Sequence, residues 1–107
     1  MSAPCMPYQA PSLWAEVTAT PPLLRIDLRG ELDIATIDVL SRPDVLACEH
    51  GSLHSVVVDL SGLTFCDVAG LRALMRLRDH HVRRGRVARL EHPRPHLARL
   101  VVLTHLN

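Results

Sequence analysis

The chain has 107 residues, of which 48% are hydrophobic and 21% charged, so it can bury one core but has no room for a second domain. Its formal net charge of +1 gives no reason to expect binding to nucleic acid or to an anionic membrane. Aromatic residues make up 3% of the chain, which leaves almost nothing on which single-stranded bases could stack.

The first eleven residues and the pattern that follows them predict an arm and then a hairpin. Residues 1–11 hold three prolines and no periodic pattern, which predicts a flexible arm outside a domain spanning residues 12–107. Apolar and polar residues then alternate on both sides of Pro21-Pro22, which predicts two half-buried strands with the proline pair in the turn. The alternating apolar positions are Leu13, Ala15 and Val17, then Leu24, Ile26 and Leu28.

A helical segment is predicted after Gly30, where the spacing of apolar residues changes. Asp33 stands immediately before this segment, and its default role is to cap a short helix. The apolar residues of the segment are Ile34, Ile37, Val39 and Leu40. Ser41 followed by Pro43 resembles a fresh helix start, so we expect a break near Ser41. Gly51 is expected to end the segment.

The middle of the chain predicts a central strand and a long helix. The β-branched run Val56–Val58, within a strand over Ser55–Leu60, is typical of a strand buried on both faces. Asp67 is predicted to cap a helix that reaches about Arg84, with Gly85 where the helix stops. The apolar side of this helix is expected to carry Leu71, Leu74, Met75 and Val82.

The last third of the chain predicts one more strand and one more helix. The strand contains Val87, Ala88 and Leu90, and Pro93 and Pro95 introduce the helix. The inner side of this last helix is expected to carry Leu97, Leu100, Val101 and Leu103. The order β-β-α-β-α-β-α predicts an α/β domain with a small mixed sheet of about four strands and three to four helices. Its later strands should be parallel.

Three stretches carry a resemblance to a known family: GELDIAT at 30–36, VVVDLSGLTFCDVAGL at 56–71, and residues 86–106. Together they resemble the STAS domain of bacterial anti-sigma factor antagonists, over 13–107. The resemblance implies a small mixed sheet with helices on one side. It also implies a binding module without a cofactor, which binds an anti-sigma factor, typically a serine kinase with an ATP pocket, and so frees a sigma factor for transcription.

One position departs from the pattern that the resemblance implies. Family members usually read Asp-Ser-Ser-Gly or Asp-Ser-Ala-Gly here, and the first serine is the phosphorylation switch. This chain has Val68 at the matching position and Ala69 after it, so neither carries a hydroxyl. Because phosphate would add charge and bulk to the docking surface, we expect a constitutive binder, or one that is regulated elsewhere.

The resemblance places a partner-binding surface around the turn that enters the long helix. The residues implied are Asp33, Phe65, Cys66, Asp67, Val68, Ala69, Gly70, Arg72 and Arg76. Asp67 can cap the helix and also belong to the recognition surface, and Gly70 permits close backbone approach. The arginines, with Asp79 and Arg83, form a polar stripe that is either a solvated face or a basic flank pairing with acidic groups of the partner.

Catalytic and metal-binding alternatives have less support. Cys48, His50 and His54 do not match the spacing of a tetrahedral site, and the adjacent pair His80-His81 is expected to point to different faces of a helix. The helix N-terminus could lower the pKa of Cys66 and make it a nucleophile, but burial under the loop is favoured because no histidine follows as a base. We therefore predict no metal and no catalytic residue.

Compartment and partner can also be predicted. No apolar run approaches the roughly 20 residues of a membrane-spanning helix, and the first residues show no secretory signal. The odd set Cys5, Cys48 and Cys66 is read as free thiols, which fits a cytoplasmic protein. The alternative to an anti-sigma factor partner is a role as accessory subunit of a membrane transport ATPase in lipid trafficking, with a permanent, hydrophobic interface.

Overall fold

The computed structural model describes residues 9–10, 12–48 and 51–104, with side chains for 12–48 and 51–100. The elements in chain order are β1 (Gln9–Ala10), β2 (Leu13–Thr20), β3 (Leu23–Leu32), a 3₁₀ turn (Ile37–Ser41), α1 (Pro43–Leu46), β4 (Ser55–Cys66), α2 (Val68–Arg83), β5 (Val87–Glu91) and α3 (Pro95–Thr104). Four longer strands, the short β1 and the helices confirm the predicted α/β class. Most of the predicted arm, residues 1–8 and 11, lies outside the described residues, but Gln9 and Ala10 pair with β2.

The strands form one mixed sheet in the order β1-β2-β3-β4-β5. β2 and β3 are antiparallel and are joined at Pro21 and Pro22, which confirms the predicted hairpin. β3, β4 and β5 run parallel to one another, as predicted. The parallel register places Leu32 opposite Cys66, so the carboxyl ends of β3 and β4 lie side by side. The turn after β3 and the turn into α2 therefore share one end of the sheet.

The helices cover one face of the sheet. Strand residues such as Ile26 and Val58 share a buried core with Leu74 of α2 and Leu97 of α3. Leu100 is packed against this core, whereas the side chains of Val101 and Leu103 lie outside those described. The prediction that β4 ends at Leu60 was wrong, because the strand continues to Cys66. The prediction that it is buried on both faces is met in part: Val56 and Val58 are buried on the helix side, and on the other face Asp59 is buried and Val57 is half-buried.

Asp59 is the buried carboxylate of that helix-free face. It accepts from the Ser61 hydroxyl at 2.6 Å and bonds to Arg25 and to His92 at 3.0 Å each. Burial by itself would raise the pKa of Asp59, but the hydrogen bonds from Ser61 and the nearby His92 outweigh it and hold the pKa at about 2. The carboxylate therefore stays ionised and ties β4 to β3 and to the connection after β5.

The first helical segment differs from the prediction at both ends. It begins as a 3₁₀ turn at Ile37 with Thr36 at the N-cap position, not at Asp33. The break near Ser41 is confirmed, since the 3₁₀ turn ends there and α1 begins at Pro43. α1 ends at Leu46 and not at Gly51, because Ala47 adopts the left-handed conformation with φ of 47°.

α2 confirms the predicted long helix, but its buried side is different. The buried residues of the helix are Gly70, Leu71, Ala73, Leu74, Leu77 and His81. Val82 was expected on the apolar side and is 47% exposed, because His81 takes the core position one residue earlier. A polar residue adds nothing to a hydrophobic periodicity, so the sequence pattern did not predict that His81 is buried.

His81, fully buried, joins α2 to α1. Its Nε2 atom lies 3.0 Å from the Val45 carbonyl and its Nδ1 atom 2.9 Å from the Arg86 guanidinium. A carbonyl only accepts and a guanidinium only donates, so the ring is neutral with its proton on Nε2. Arg86 also donates to the Ala47 carbonyl at 2.9 Å. These bonds satisfy carbonyls that the end of a helix leaves without partners.

His80 also contacts α1, with its Nε2 atom 2.8 Å from the Leu46 carbonyl. The expectation that the two neighbouring histidines serve different faces was therefore wrong. Both rings meet the end of α1, and they stack edge to face with centroids 4.9 Å apart. Their role in the structure is to hold a helix end.

Burial of His81 predicts a pH-dependent stability. Burial above all, with nearby positive charges, lowers the pKa of His81 to about 4, against about 6.5 in an unfolded chain. The neutral ring makes its full contribution to the free energy of unfolding above pH 6.5. This contribution is lost as the pH falls towards 4, because only the unfolded chain takes up the proton in this range. Urea unfolding should show that wild type loses roughly 2–3 kcal/mol more than His81→Gln between pH 7 and pH 4.5. If the unfolding free energies of wild type and His81→Gln changed in parallel with pH, a buried neutral ring would be contradicted.

Gly70 allows α2 to approach the end of β3. A Cβ atom at this position would lie 2.5 Å from the Leu32 carbonyl oxygen and 3.0 Å from the Cys66 sulfur. Gly70→Ala should therefore lower the free energy of unfolding by about 1–3 kcal/mol, as overpacking of a core does. Gly51→Ala is the matched control, since a Cβ atom there meets nothing within 4 Å. Equal unfolding midpoints for the two variants would show that the close approach is not required.

Candidate docking surface

Three large apolar side chains are exposed where β3 and β4 end. Ile34 in the turn after β3 is 73% exposed, Phe65 near the end of β4 is 48% exposed, and Val68 at the start of α2 is 59% exposed. We call these three residues the docking patch. The only other large hydrophobic residues exposed in the described part of the chain are Val82 and Val87. The parallel register of β3 and β4 brings these positions to the same edge of the sheet, and apolar exposure concentrated at one edge is typical of a surface that receives a partner.

Ile34 was missed as a surface residue because its spacing matched a helix. The residue instead sits in a turn organised by Asp33 and Thr36. The Asp33 carboxylate accepts from the Ala35 amide at 2.9 Å, and the Asp33 amide donates to the Thr36 hydroxyl at 2.9 Å. The buried Thr36 hydroxyl in turn donates to the Glu31 carbonyl at 3.0 Å. Asp33 therefore shapes the turn that presents Ile34, and the prediction that it caps a helix was wrong.

Asp67 fixes the other half of the surface. Its carboxylate accepts from the Gly70 amide at 2.7 Å, which confirms the predicted cap of α2. Its own amide donates to the Leu32 carbonyl at 3.2 Å. The cap and this bond attach the start of α2 to the end of β3, and the exposure of Val68 follows from that position.

Cys66 lies beneath the surface. It is 4% exposed, as favoured from the sequence. Burial first, and the neighbouring Asp67 charge second, raise the pKa of the thiol to about 11. The alternative of a lowered pKa was therefore wrong, and the thiol is a poor nucleophile at neutral pH. Gly70 is also buried and Ala69 is half-buried, so these residues support the surface more than they form it.

Two arginines extend the surface along α2. Val68, Arg72 and Arg76 are spaced four residues apart, so they share one face of the helix. Arg72 and Arg76 are exposed, and neither forms a hydrogen bond or ion pair with any residue that the structure describes. Unpaired guanidinium groups on an exposed helix face are suited to carboxylates of a second protein. The surface is thus apolar at one end and basic at the other.

The acidic groups of the surface make local contacts to the backbone. The carboxylates of Asp33 and Asp67 each bind a backbone amide. Within residues 12–48 and 51–100, no three His, Cys, Asp or Glu side chains gather closely enough to hold a metal ion. His50, considered as a ligand above, lies outside the described residues. None of the helices in the described ranges is both long and apolar enough to cross a bilayer.

Comparison with known proteins identifies the fold. A family model described as "Mlab, STAS domain" matches residues 16–107. No match was found among curated protein sequences. An anti-sigma factor antagonist from Mycobacterium paratuberculosis is similar in structure, with a TM-score of 0.67 and 23% identity over 92% of this chain and 84% of its own. The phosphorylated form of the Bacillus cell fate determinant SpoIIAA gives a TM-score of 0.69 and 18% identity, over 86% of this chain and 84% of its own.

A transporter contains the same fold as one part of a larger chain. The murine Solute Carrier 26 family member A9 anion transporter matches with a TM-score of 0.60 and 22% identity, over 76% of this chain but 14% of its own. At these identities the structural matches establish a shared fold. The family model covers most of the sequence, including the whole of β3, β4 and α2. The chain therefore belongs to the STAS domain family.

Proposed function

We propose that the chain is a non-catalytic signalling module of the cytoplasm that binds an anti-sigma factor of the serine kinase type and so regulates sigma-dependent transcription. The observation that carries this proposal is the docking patch at the entrance to α2. It occupies the position that the family resemblance gives to the docking surface. Two of the similar solved structures, from Mycobacterium paratuberculosis and Bacillus, are those of anti-sigma factor antagonists, which supports the proposal.

Hydrophobic burial supplies the driving force for this binding. Complete burial of a large aliphatic or aromatic side chain is worth about 1.5–3 kcal/mol. Ile34, Phe65 and Val68 retain about half or more of their exposure in the free chain, so a partner that covers them gains several kcal/mol by the same measure. Such residues are the ones that typically dominate a protein interface.

Val68 makes the surface permanently uncharged at the switch position. A phosphoserine at position 68 would bring about −1.5 to −2 charges and three acceptor oxygens to the docking patch. Val68 and Ala69 have no hydroxyl, so this position cannot be modified in that way. The proposal is therefore a constitutive binder whose control lies in its abundance, in its partner or at another residue.

A second candidate is an accessory STAS subunit of a membrane transport ATPase complex. The matching family model carries the name Mlab, and an anion transporter contains the same fold. A switch position without a hydroxyl also suits a permanent interface. In this case the docking patch would cover an ATPase subunit instead of an anti-sigma kinase.

Capture from the native cell separates the two candidates. The tagged full-length chain is purified under mild conditions, and the proteins bound to it are identified by mass spectrometry. Recovery of a serine kinase that binds a sigma factor supports the first candidate, and recovery of a transport ATPase supports the second. Capture of other proteins, with neither a sigma-binding kinase nor a transport ATPase among them, would contradict both candidates.

Val68→Asp should abolish or strongly weaken capture, because the charge would be buried against an apolar partner surface. An acidic residue in the first turn of a helix is favourable, so the variant should fold. The matched control is Val87→Asp, which changes a valine of the same exposure, 59%, at the start of β5 and so at the opposite end of the parallel strands. Calorimetry with the captured protein should show binding about 30-fold weaker or worse for the first variant and little change for the second. Equal affinities would place the interface elsewhere.

Val68→Ser tests the kinase-type partner directly. The new hydroxyl should accept phosphate from the captured kinase and ATP, and phosphorylation should then weaken binding by about tenfold or more, since charge enters an apolar contact. Phosphate incorporation is measured by intact mass, and the wild-type chain is the control. A Val68→Ser chain that is phosphorylated but binds with unchanged affinity would contradict the proposed interface.

A further inference from the structure

A groove lies beside the docking surface, between α2 and the 3₁₀ turn. Its volume is about 210 Å³. The apolar walls are formed by Ile37, Leu46, Ala73 and Leu77. Asp38 of the 3₁₀ turn and Arg76 of α2 also line the groove and are exposed. Arg76 belongs to the same helix face as Val68, so the groove continues the docking surface along α2.

The groove has the size and character for one apolar side chain. An engineered apolar cavity of about 150 Å³ holds a benzene molecule, so this volume admits an aliphatic or aromatic side chain. Ala73 is small and leaves this space open, and Ile37 and Leu46 are only partly buried. An incoming apolar group would therefore complete the burial of residues that the free chain leaves partly hydrated.

The charges beside the groove indicate what flanks that side chain. Arg72 and Arg76 are one helical turn apart, with no ion pair to any described residue. Carboxylates spaced one turn apart on a second helix can meet both guanidinium groups at once. Asp38 would repel a carboxylate that approached from the 3₁₀ turn, so the acidic side of the helix should face α2.

The described helices of a second copy of this chain do not offer such a segment. Among the described helices, α1 carries Asp44, α2 carries Asp79 and α3 carries no acidic residue. None of them has two carboxylates one turn apart. The occupant is therefore expected from a different protein.

We propose that the groove receives an apolar side chain from an acidic amphipathic helix of the partner protein, whose carboxylates pair with Arg72 and Arg76. This rests on the proposed function, in which the docking patch binds that partner. The docking patch and the groove then form two anchor points on the same side of α2. The groove selects the partner by the combination of an apolar anchor and acidic neighbours, which the docking patch alone does not provide.

The test uses the full-length chain and the purified protein captured by it. Arg76→Glu should weaken binding by about tenfold or more, because two carboxylates would then face each other. Arg89→Glu is the matched control, since Arg89 is exposed on the helix-free face of the sheet, and its affinity should stay within about twofold of wild type. Wild-type binding should also weaken as salt increases, and Arg76→Glu should lose that dependence.

Filling the groove tests the apolar anchor separately. Ala73→Leu fills it from the wall of α2, and Ser41→Trp fills it from an exposed position beside it, so the second variant remains informative if the first destabilises the core. Both should weaken binding by about tenfold. A photoreactive benzoylphenylalanine at Ser41 should cross-link to a partner helix that contains acidic and apolar residues.

The outcomes distinguish this proposal from the function on which it rests. If Val68→Asp abolishes binding while the groove variants bind like wild type, the groove proposal is overturned and the docking patch remains. A cross-link to a basic or non-helical segment, or to a second copy of this chain, overturns it too. If neither Val68→Asp nor the groove variants change binding, or if no protein is captured, both proposals fail.

Discussion

The parallel pairing of β3 with β4 is the constraint on which the rest of this structure depends. Parallel strands end at the same edge of a sheet, so the turn that presents Ile34 and the helix start that presents Val68 become neighbours although 34 positions separate them in the sequence. Gly70 lets α2 approach the end of β3, where a Cβ atom would meet the Leu32 carbonyl oxygen at 2.5 Å. Asp67 then caps the helix by accepting from the Gly70 amide. The docking patch is a product of these backbone contacts.

The surface combines a buried, hydrogen-bonded support with an apolar exterior. The groups beneath it, the Cys66 thiol and the Thr36 hydroxyl, are buried and bonded to backbone atoms. The apolar side chains of the docking patch face solvent, and exposed apolar patches mark interaction sites. With Val68 in place of a phosphorylatable serine, nothing at this position can add charge. A permanently apolar surface beside two arginines that pair with no described residue therefore suits a partner with both apolar and acidic groups. The groove beside Arg76 continues this combination of apolar and basic groups along the helix.

A different kind of contact holds the far end of α2. His80, His81 and Arg86 donate to consecutive carbonyls at the end of α1, which has only four residues and could not be stable alone. The groove wall from α1 therefore depends on a buried polar cluster whose central ring must be neutral. Stability of that wall and the protonation of His81 are linked, because the pKa of His81 lies at about 4 as a result of burial.

Much of this fold can be predicted from local sequence patterns. Alternation predicted the hairpin, the β-branched run at Val56 predicted β4, and Asp67 predicted the start of α2, because these signals act between residues a few positions apart. The substitution at Val68 is likewise visible in the sequence. Packing between distant segments decided the rest. Ile34 looked like a helix residue and is exposed because its turn is organised by Asp33 and Thr36, and His81 looked polar and is buried because α1 supplies it with an acceptor 36 positions away. Exposure and burial at these positions depend on which segments meet in three dimensions, and a periodic pattern in one segment contains no information about the other.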